Sequence, residues 1–205
     1  MGARVKVCGI TRRDDALRAA DLGASAVGFV FWPRSPRYVD PEQATAIARD
    51  LPPDVAPVGV FVDPTVTAVQ RIAAQVGLAA VQLHGDEPAT LCDDLPYRVL
   101  KAVAVAGDGT YEAAARVPSR ITVLLDARDP VRRGGTGRTV DWGVAADVAA
   151  RRRIFLAGGL CPENVGEALR TVRPYGIDVS SGVETLPGRK DAGRLRDFFE
   201  EVARA

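Results

Sequence analysis

Two reactive side chains end short apolar runs that lie far apart in the chain. Cys8 ends the run 5–8, and Asp126 ends the run 121–126. If both runs are strands of a barrel of parallel strands, their C-terminal ends lie on one face, and that face carries the chemistry. A thiol and a carboxylate that meet there can work as a base and an acid. The sequence therefore predicts an acid–base site built from these two side chains.

Each of these side chains also has an ordinary structural explanation. A free cysteine at the end of a strand is more often an inert core residue than a reactive one. Gly9 and a predicted helix start follow Cys8, and a helix N-terminus favours the thiolate form. A carboxylate that follows Val123-Leu124-Leu125 should not be buried without a reason, although Asp126 can cap the next loop or pair with a lysine.

Charged residues inside other predicted strands are candidates for such pairing. Lys6 lies two residues before Cys8, so strand alternation places both side chains on the inward face. Lys101 is a second possible inward lysine. Asp178 shares a face with Ser180, and we expect it to pair with one of these lysines in a mainly structural role.

Strand-like and helix-like segments alternate from end to end. Nearly continuous apolar strands indicate a sheet buried on both faces, and therefore parallel strands joined by helical crossovers. Eight strands favour a single α/β domain over residues 1–205, a closed (β/α)8 TIM barrel, with an open doubly wound sheet as the alternative. The predicted strands are 5–8, 26–31, 58–62, 80–83, 99–103, 121–126, 154–157 and 177–180.

Several predicted helices have recognisable start and stop signals. Asp40-Pro41 and Asp63-Pro64 each resemble an N-cap followed by proline at the first helical position, and Gly77 is placed to end the second of these helices. Pro162 is predicted to begin a later helix. Residues 11–14, with threonine first and aspartate last, resemble a capping box for the first helix.

The composition is close to that of an ordinary globular protein. Of the 205 residues, 47% are hydrophobic and 26% are charged, and the formal net charge is +1. No basic run exceeds Arg151-Arg152-Arg153 and aromatic residues are sparse, so no nucleic-acid partner is expected. No apolar stretch is long enough to cross a bilayer, so no membrane partner is expected either. Cys8, Cys92 and Cys161 do not form a disulfide framework or a zinc motif, which favours a cytoplasmic location.

Two turns rich in glycine and serine follow the last two predicted strands. Gly158 and Gly159 follow the seventh strand, and Ser180, Ser181 and Gly182 follow the eighth. Barrels often bind phosphate at these two loops, through backbone N–H groups and the N-terminus of a short extra helix. Either turn alone would be explained as a tight connection, but the two together predict a phosphate site.

Three other segments near predicted strand ends carry polar groups. The loop 32–38 contains two prolines and two arginines, Arg34 and Arg37; an arginine there suits bidentate binding of a carboxylate, with a solvated loop as the alternative. His84 is the only histidine, which excludes a metal site of two or three histidines and favours a supporting role. The glycine-rich segment 134–138 lacks the lysine of a P-loop, and we interpret it as a lid beside Asp126.

These motifs, in this order, resemble those of the phosphoribosylanthranilate isomerase family of tryptophan biosynthesis. The likeness runs from the first predicted strand to the last predicted helix. It rests on Lys6-Val7-Cys8-Gly9-Ile10-Thr11, Gly28-Phe29-Val30-Phe31, Ser35-Pro36-Arg37, Val81-Gln82-Leu83-His84-Gly85, Leu124-Leu125-Asp126, Gly134-Gly135-Thr136-Gly137, Ala157-Gly158-Gly159-Leu160, Pro162-Glu163-Asn164-Val165 and Asp178-Val179-Ser180-Ser181-Gly182-Val183-Glu184.

The resemblance implies an aldose–ketose isomerase that performs the Amadori rearrangement of N-(5-phosphoribosyl)anthranilate. In the family, the residue matching Asp126 is the general acid that opens the ribose ring, and the residue matching Cys8 is the base that removes the C2 proton. The residue matching Arg37 is expected to hold the anthranilate carboxylate, and the two late loops hold the phosphate. The substrate supplies its own electron sink, so neither a cofactor nor a metal is expected. These roles require a partly desolvated Asp126 that keeps its proton and a Cys8 biased towards thiolate.

Rival functions remain open at this point. A related sugar-phosphate isomerase of histidine biosynthesis performs the same rearrangement on a substrate with two phosphates, but that family has an aspartate where this chain has Cys8. A metal-dependent sugar-phosphate epimerase would need several histidines. A non-catalytic barrel that binds a phosphorylated ligand would leave Cys8 and Asp126 without a role. The expected partner in the preferred interpretation is a small phosphorylated substrate, and the family implies a monomer or a homodimer.

Overall fold

The computed structural model describes residues 2–105, 109–127 and 140–205. Within these residues, eight parallel strands pair in chain order, and the first strand pairs with the eighth to close a barrel. The predicted (β/α)8 barrel is confirmed. The strands are β1 (Arg4–Cys8), β2 (Ala26–Val30), β3 (Ala56–Phe61), β4 (Ala80–Leu83), β5 (Arg98–Val105), β6 (Thr122–Ala127), β7 (Ile154–Leu156) and β8 (Gly176–Val179).

Helices cover the outside of the barrel, because each presents an apolar stripe to the strands. A 3-10 helix (Ala89–Asp94) stands in place of an α-helix between β4 and β5. A second 3-10 helix (Ser181–Val183) and a hairpin of β9 (Glu184–Leu186) and β10 (Arg189–Lys190) follow β8. In the described ranges, no helix has both the length and the apolar character needed to cross a membrane. The α-helices found there are α1 (Arg13–Asp21), α2 (Pro41–Arg49), α3 (Val66–Val76), α4 (Thr110–Ala115), α5 (Trp142–Ala149), α6 (Val165–Val172) and α7 (Ala192–Arg204).

Two of the predicted helix signals are confirmed and one is wrong. Asp40 caps α2 through its side chain, and Gly77 ends α3 in the left-handed region with a φ of 74°. The residue that caps α3 is Thr65 and not Asp63. Asp63 instead turns its carboxylate to the backbone N–H of Asp86, at 2.8 Å, and adopts a φ of 47°. The competing hydrogen bond explains why the Asp-Pro signal failed here.

Two other predicted helix starts are also wrong. Thr11 does not cap α1, because its hydroxyl donates to the carbonyl of Gly188 at 2.5 Å. The residue before α1 is Arg12, whose side chain makes no capping hydrogen bond. The helix predicted to begin at Pro162 begins only after Asn164, whose side chain instead organises the turn before α6.

The residues that the structure describes form three apolar clusters, the smallest of which consists of Cys8, Val30 and Val60. The largest lies between the strands and the helices. A smaller set fills the barrel itself, with Leu124 and Phe155 among its largest members. Lys6 and Gln82, each 1% exposed, are also buried in this inner space. Polar groups buried at such depth need hydrogen-bonding or charged partners. The partners of these two side chains belong to the candidate active site.

Candidate active site

One cavity at the C-terminal ends of the barrel strands brings most of the predicted residues together. Cys8 from β1 and Asp126 from β6 both line it, as their positions at strand ends predicted. Lys6 and Gly182 lie beside the cavity rather than on its wall. The predicted residues that line it are Cys8, Arg37, His84, Asp126, Gly158, Gly159, Asp178, Ser180 and Ser181.

Cys8 occupies a space that a glycine leaves open. It lies opposite Gly28 in the register of β1 and β2. A Cβ atom on Gly28 would come within 2.9 Å of the Cys8 sulfur and 3.0 Å of the Lys6 ammonium nitrogen. Burial raises the pKa of the Cys8 thiol, and the positive charges of Lys6 and Lys190 only partly oppose that rise. The expectation that Cys8 is biased towards thiolate is therefore wrong, because desolvation outweighs the two cations.

The Lys6 ammonium is paired inside the barrel. Lys6 and Asp178 face each other across β1 and β8, and Nζ lies 2.9 Å from Oδ1. Burial alone would lower the pKa of Lys6, but Asp178 and Cys8 outweigh it and the pKa is raised. Burial also raises the pKa of Asp178 against the attraction of Lys6, yet the short contact fits an ionised pair. The predicted structural role of Asp178 is thus to balance a buried charge beside the thiol.

Asp126 is buried between a backbone N–H group and the ring of His84. It is 7% exposed, as its predicted desolvation requires. Its Oδ1 accepts from the backbone N–H of Ala127 at 2.8 Å, and its Oδ2 lies 3.2 Å from Nε2 of His84. The predicted supporting role of His84 therefore has a defined partner.

Gln82, which also lines the cavity, contacts the His84 ring on the side away from Asp126. Its side-chain nitrogen lies 2.8 Å from Nδ1 of His84. We did not select it from the sequence, although a signal was available: it is a polar residue inside an apolar strand, and strand alternation puts it on the same face as His84.

A carboxylate that the sequence did not single out as a site residue holds Arg37. Arg37 Nε donates to both oxygens of Glu184, at 3.0 and 3.1 Å, and Nη2 donates to Oε2 at 2.7 Å. Burial alone would raise the pKa of Glu184, but hydrogen bonds from Arg37 and the charge of Lys190 hold that pKa below its usual value. Nη1 of Arg37 forms no hydrogen bond with the described part of the chain. This edge of the guanidinium can therefore donate hydrogen bonds to a bound anion.

Lys190, which sequence analysis also missed, ties several parts of the site together. Its Nζ donates to the carbonyls of Cys8 and Ser180, at 2.6 and 3.2 Å, and to Glu184 Oε1 at 2.8 Å. These three bonds use all three ammonium hydrogens. Burial lowers the pKa of Lys190 against the attraction of Glu184. A hairpin outside the barrel supplies this lysine, so strand periodicity gave no signal for it.

The two late loops have the backbone that their glycines predicted. Gly158 and Gly159 have φ values of 83° and 66°, a region that side chains disfavour. Asn164 braces this loop: its Nδ2 donates to the Gly159 carbonyl, and its Oδ1 accepts from the N–H of Cys161, both at 2.9 Å. Gly182 packs so closely on the Leu160 carbonyl that a Cβ atom would collide with it. The proposed lid, residues 134–138, lies outside the described residues.

A protein-family model matches almost the whole chain. Residues 5–201 match the family model described as N-(5'phosphoribosyl)anthranilate (PRA) isomerase. The chain belongs to this family. The matched span includes every residue of the site, and the resemblance drawn from the sequence motifs is confirmed.

Two curated members of the PRA isomerase family illustrate the likeness. The N-(5'-phosphoribosyl)anthranilate isomerase of Geobacter sulfurreducens is 49% identical over 201 residues, covering 97% of this chain and 98% of that protein. The enzyme of the same name from Pelobacter propionicus is 48% identical over 197 residues, covering 96% and 93%. The similarity therefore extends over almost the whole length of both partners.

Solved structures of PRA isomerases share the fold. The structure from Thermotoga maritima superposes with a TM-score of 0.93 at 43% identity and covers 99% of this chain and all of its own. A phosphoribosyl anthranilate isomerase in complex with reduced 1-(o-carboxyphenylamino)-1-deoxyribulose 5-phosphate has a TM-score of 0.89 at 42% identity, with coverage of 99% and 100%. That second protein binds a ligand with a carboxylate at one end and a phosphate at the other.

Proposed function

We propose that this protein converts N-(5-phosphoribosyl)anthranilate to 1-(2-carboxyphenylamino)-1-deoxyribulose 5-phosphate, an aldose–ketose isomerisation of tryptophan biosynthesis. One observation carries the proposal: a buried thiol and a buried carboxyl group line a single cavity that also contains Arg37 and the two glycine-rich loops. The names of the curated relatives and the ligand of the solved relative support the same reaction.

Asp126 is the general acid in this proposal. Its O–H bond breaks as the proton passes to the ribose ring oxygen, the bond from C1 to that oxygen breaks, and the anthranilate nitrogen donates its lone pair to form an iminium. The carboxylate that remains keeps its hydrogen bond from Ala127 and its contact with the His84 ring. Donors aimed at the oxygens that acquire charge stabilise this step.

Cys8 is the general base. Its thiolate takes the C2 proton, the C2–H electrons form a C1–C2 double bond, and the iminium electrons return to nitrogen as an enolamine, which tautomerises to the ketone. A thiolate whose pKa is raised by burial is scarce but is also a stronger base. Lys6 supports the anion when it forms, because its ammonium lies beside the thiol and Asp178 keeps that ammonium in place.

Arg37 binds the anthranilate carboxylate in the proposal. Glu184 fixes the Nε and Nη2 edge of the guanidinium, which leaves Nη1 to meet the substrate. A guanidinium that is already oriented loses little entropy on binding a carboxylate. Arg37→Ala should therefore raise KM or lower kcat/KM, and unchanged kinetics would remove Arg37 from the site.

The phosphate binds between the two late loops. Gly158 and Gly159 allow the backbone to approach an anion closely, and Ser180 and Ser181 provide hydroxyl groups on the opposite loop. Gly182 permits the close packing of the two loops. The reaction needs neither cofactor nor metal, and the protein acts in the cytoplasm as a monomer or a homodimer, without a nucleic-acid or membrane partner.

The test is the fluorescence of N-(5-phosphoribosyl)anthranilate, generated in situ, after addition of the purified protein and of its Cys8→Ala variant. Rapid decay with the wild type and none with the folded variant would support both the reaction and its base. No decay with an intact wild-type fold would reject the proposal. The substrate of the related histidine-pathway isomerase would be tested next, followed by direct binding of phosphorylated ligands.

A further inference from the structure

Gln82 is a buried polar side chain at the base of the cavity that the reaction scheme above does not use. It is 1% exposed, and its amide lies in the interior of the barrel. Its nitrogen contacts Nδ1 of His84, while its oxygen has no hydrogen-bond partner in the described residues. Burying a primary amide in such a place costs free energy unless hydrogen bonds compensate for the lost contact with water.

The direction of the contact determines where the proton of His84 lies. The amide nitrogen of Gln82 is only a donor, so Nδ1 of a neutral His84 must accept and carry no proton. The ring proton is then on Nε2, which lies 3.2 Å from Oδ2 of Asp126. Rotating the amide by half a turn would leave an NH2 group unpaired in place of a carbonyl oxygen, and buried unpaired N–H groups are rarer than under-satisfied carbonyls.

The backbone around His84 is fixed independently of its ring. The His84 N–H donates to the Phe61 carbonyl at 2.8 Å. The N–H of the next residue, Gly85, donates to Glu87 at 3.0 and 3.1 Å, and the Gly85 carbonyl accepts from Lys101 at 2.7 Å. Lys101 and Glu87 are themselves paired at 2.7 Å. With the backbone held on both sides, the remaining freedom of His84 is the orientation and tautomer of the ring, and Gln82 contacts the ring nitrogen that faces away from Asp126.

We propose that Gln82 is a positioning residue for the acid step: it holds His84 as the Nε2–H tautomer, so that His84 donates a hydrogen bond to Asp126. The kinetic part of this proposal rests on the proposed function. When Asp126 releases its proton to the substrate, the new carboxylate meets an N–H group. Without Gln82, the ring also adopts the Nδ1–H tautomer, which turns a nitrogen lone pair towards that carboxylate.

The experiment uses the fact that His84 is the only histidine in the chain. In protein labelled with ¹⁵N-histidine, one pair of ring nitrogen resonances reports the tautomer directly. The wild type should show a protonated Nε2 and an unprotonated Nδ1. Gln82→Met, which keeps the length of the side chain and removes the amide, should show a mixture of tautomers. Gln70→Met, at an exposed position of α3, is the matched control and should match the wild type.

Kinetics then test the consequence of the tautomer. Gln82→Met should lower kcat about tenfold, as expected for the loss of one hydrogen bond to a charged group, with KM unchanged. A raised KM at unchanged kcat would instead make Gln82 a substrate-binding residue and would overturn the proposal. An unchanged tautomer in the variant, or a wild type protonated on Nδ1, would overturn it as well.

The two proposals can fail separately. The wild-type tautomer is measured without substrate, so a wild type protonated on Nδ1 would overturn the Gln82 contact even if Gln82→Met does not fold. A wild type that shows the Nε2–H tautomer but no turnover would reject the proposed reaction and leave the contact supported.

Discussion

The two sides of the cavity position their reactive groups by different means. On the β1 side, Cys8 lies beside the Lys6 ammonium, which Asp178 balances. On the β6 side, Asp126 receives a hydrogen bond from the backbone N–H of Ala127 and lies 3.2 Å from the ring of His84. A base that must become an anion benefits from a nearby cation, whereas an acid that must keep its proton would lose it to one. The difference suits the two roles that we propose.

The largest effect is expected when the acid is removed and the shape of its side chain is kept. Asp126→Asn should lower kcat by about 10² to 10⁴-fold, the usual contribution of a general acid, with binding of the substrate retained. Single-turnover decay of substrate fluorescence and a separate binding titration measure the two effects. Asp54→Asn, at an exposed position, is the control. Turnover near that of the wild type in Asp126→Asn would remove the acid role.

The Lys6–Asp178 ion pair on the β1 side can be tested by removing one of its two charges or both. Lys6→Met leaves Asp178 buried without its partner, and the free energy of unfolding should fall by about 3–5 kcal/mol. Lys6→Met/Asp178→Asn should recover most of that loss, because no uncompensated charge remains. Urea unfolding compares the three proteins. A double variant as unstable as the single one would show that Lys6 stabilises the barrel by packing rather than by charge pairing.

The importance of the space that Gly28 leaves beside the Cys8 thiol can be tested by adding one methyl group at position 28. A Cβ atom on Gly28 would crowd both Cys8 and Lys6, so Gly28→Ala should cost about 1–3 kcal/mol of stability and lower turnover as well. Gly109→Ala, where a Cβ atom meets nothing within 4 Å, provides the control. Thermal unfolding and the fluorescence assay measure both quantities. Full activity in Gly28→Ala would mean that the position of the thiol is not critical.

The pH dependence of the rate tests the protonation of the base. Burial raises the pKa of the Cys8 thiol, so the thiol is protonated and inactive at low pH. The thiolate fraction, and with it kcat/KM, should grow as the pH rises, by up to about tenfold per unit between about pH 6 and 9. Lys6→Met removes a cation that lowers this pKa, so its profile should move to higher pH. A flat profile in the wild type would argue against Cys8 as the titrating base.

A good part of the fold and site could be predicted from the sequence, and two of the errors share a cause. The eight strands and the placement of Cys8, Arg37 and Asp126 around one cavity depend on local periodicity and on strand ends. The predicted caps at Asp63 and Thr11 failed because each side chain has a distant partner that competes with the helix end. Such partners leave no trace in the local pattern.

The barrel, its family and the residue types at the strand ends follow from the amino-acid sequence, because apolar periodicity and motif order are properties of the chain alone. Which groups meet depends on the folded barrel. Barrel register sets Lys6 against Asp178 and Cys8 against Gly28. It also decided the direction of the Cys8 pKa, because the desolvation of a thiol depends on everything that covers it, and those atoms come from parts of the chain that only folding brings together.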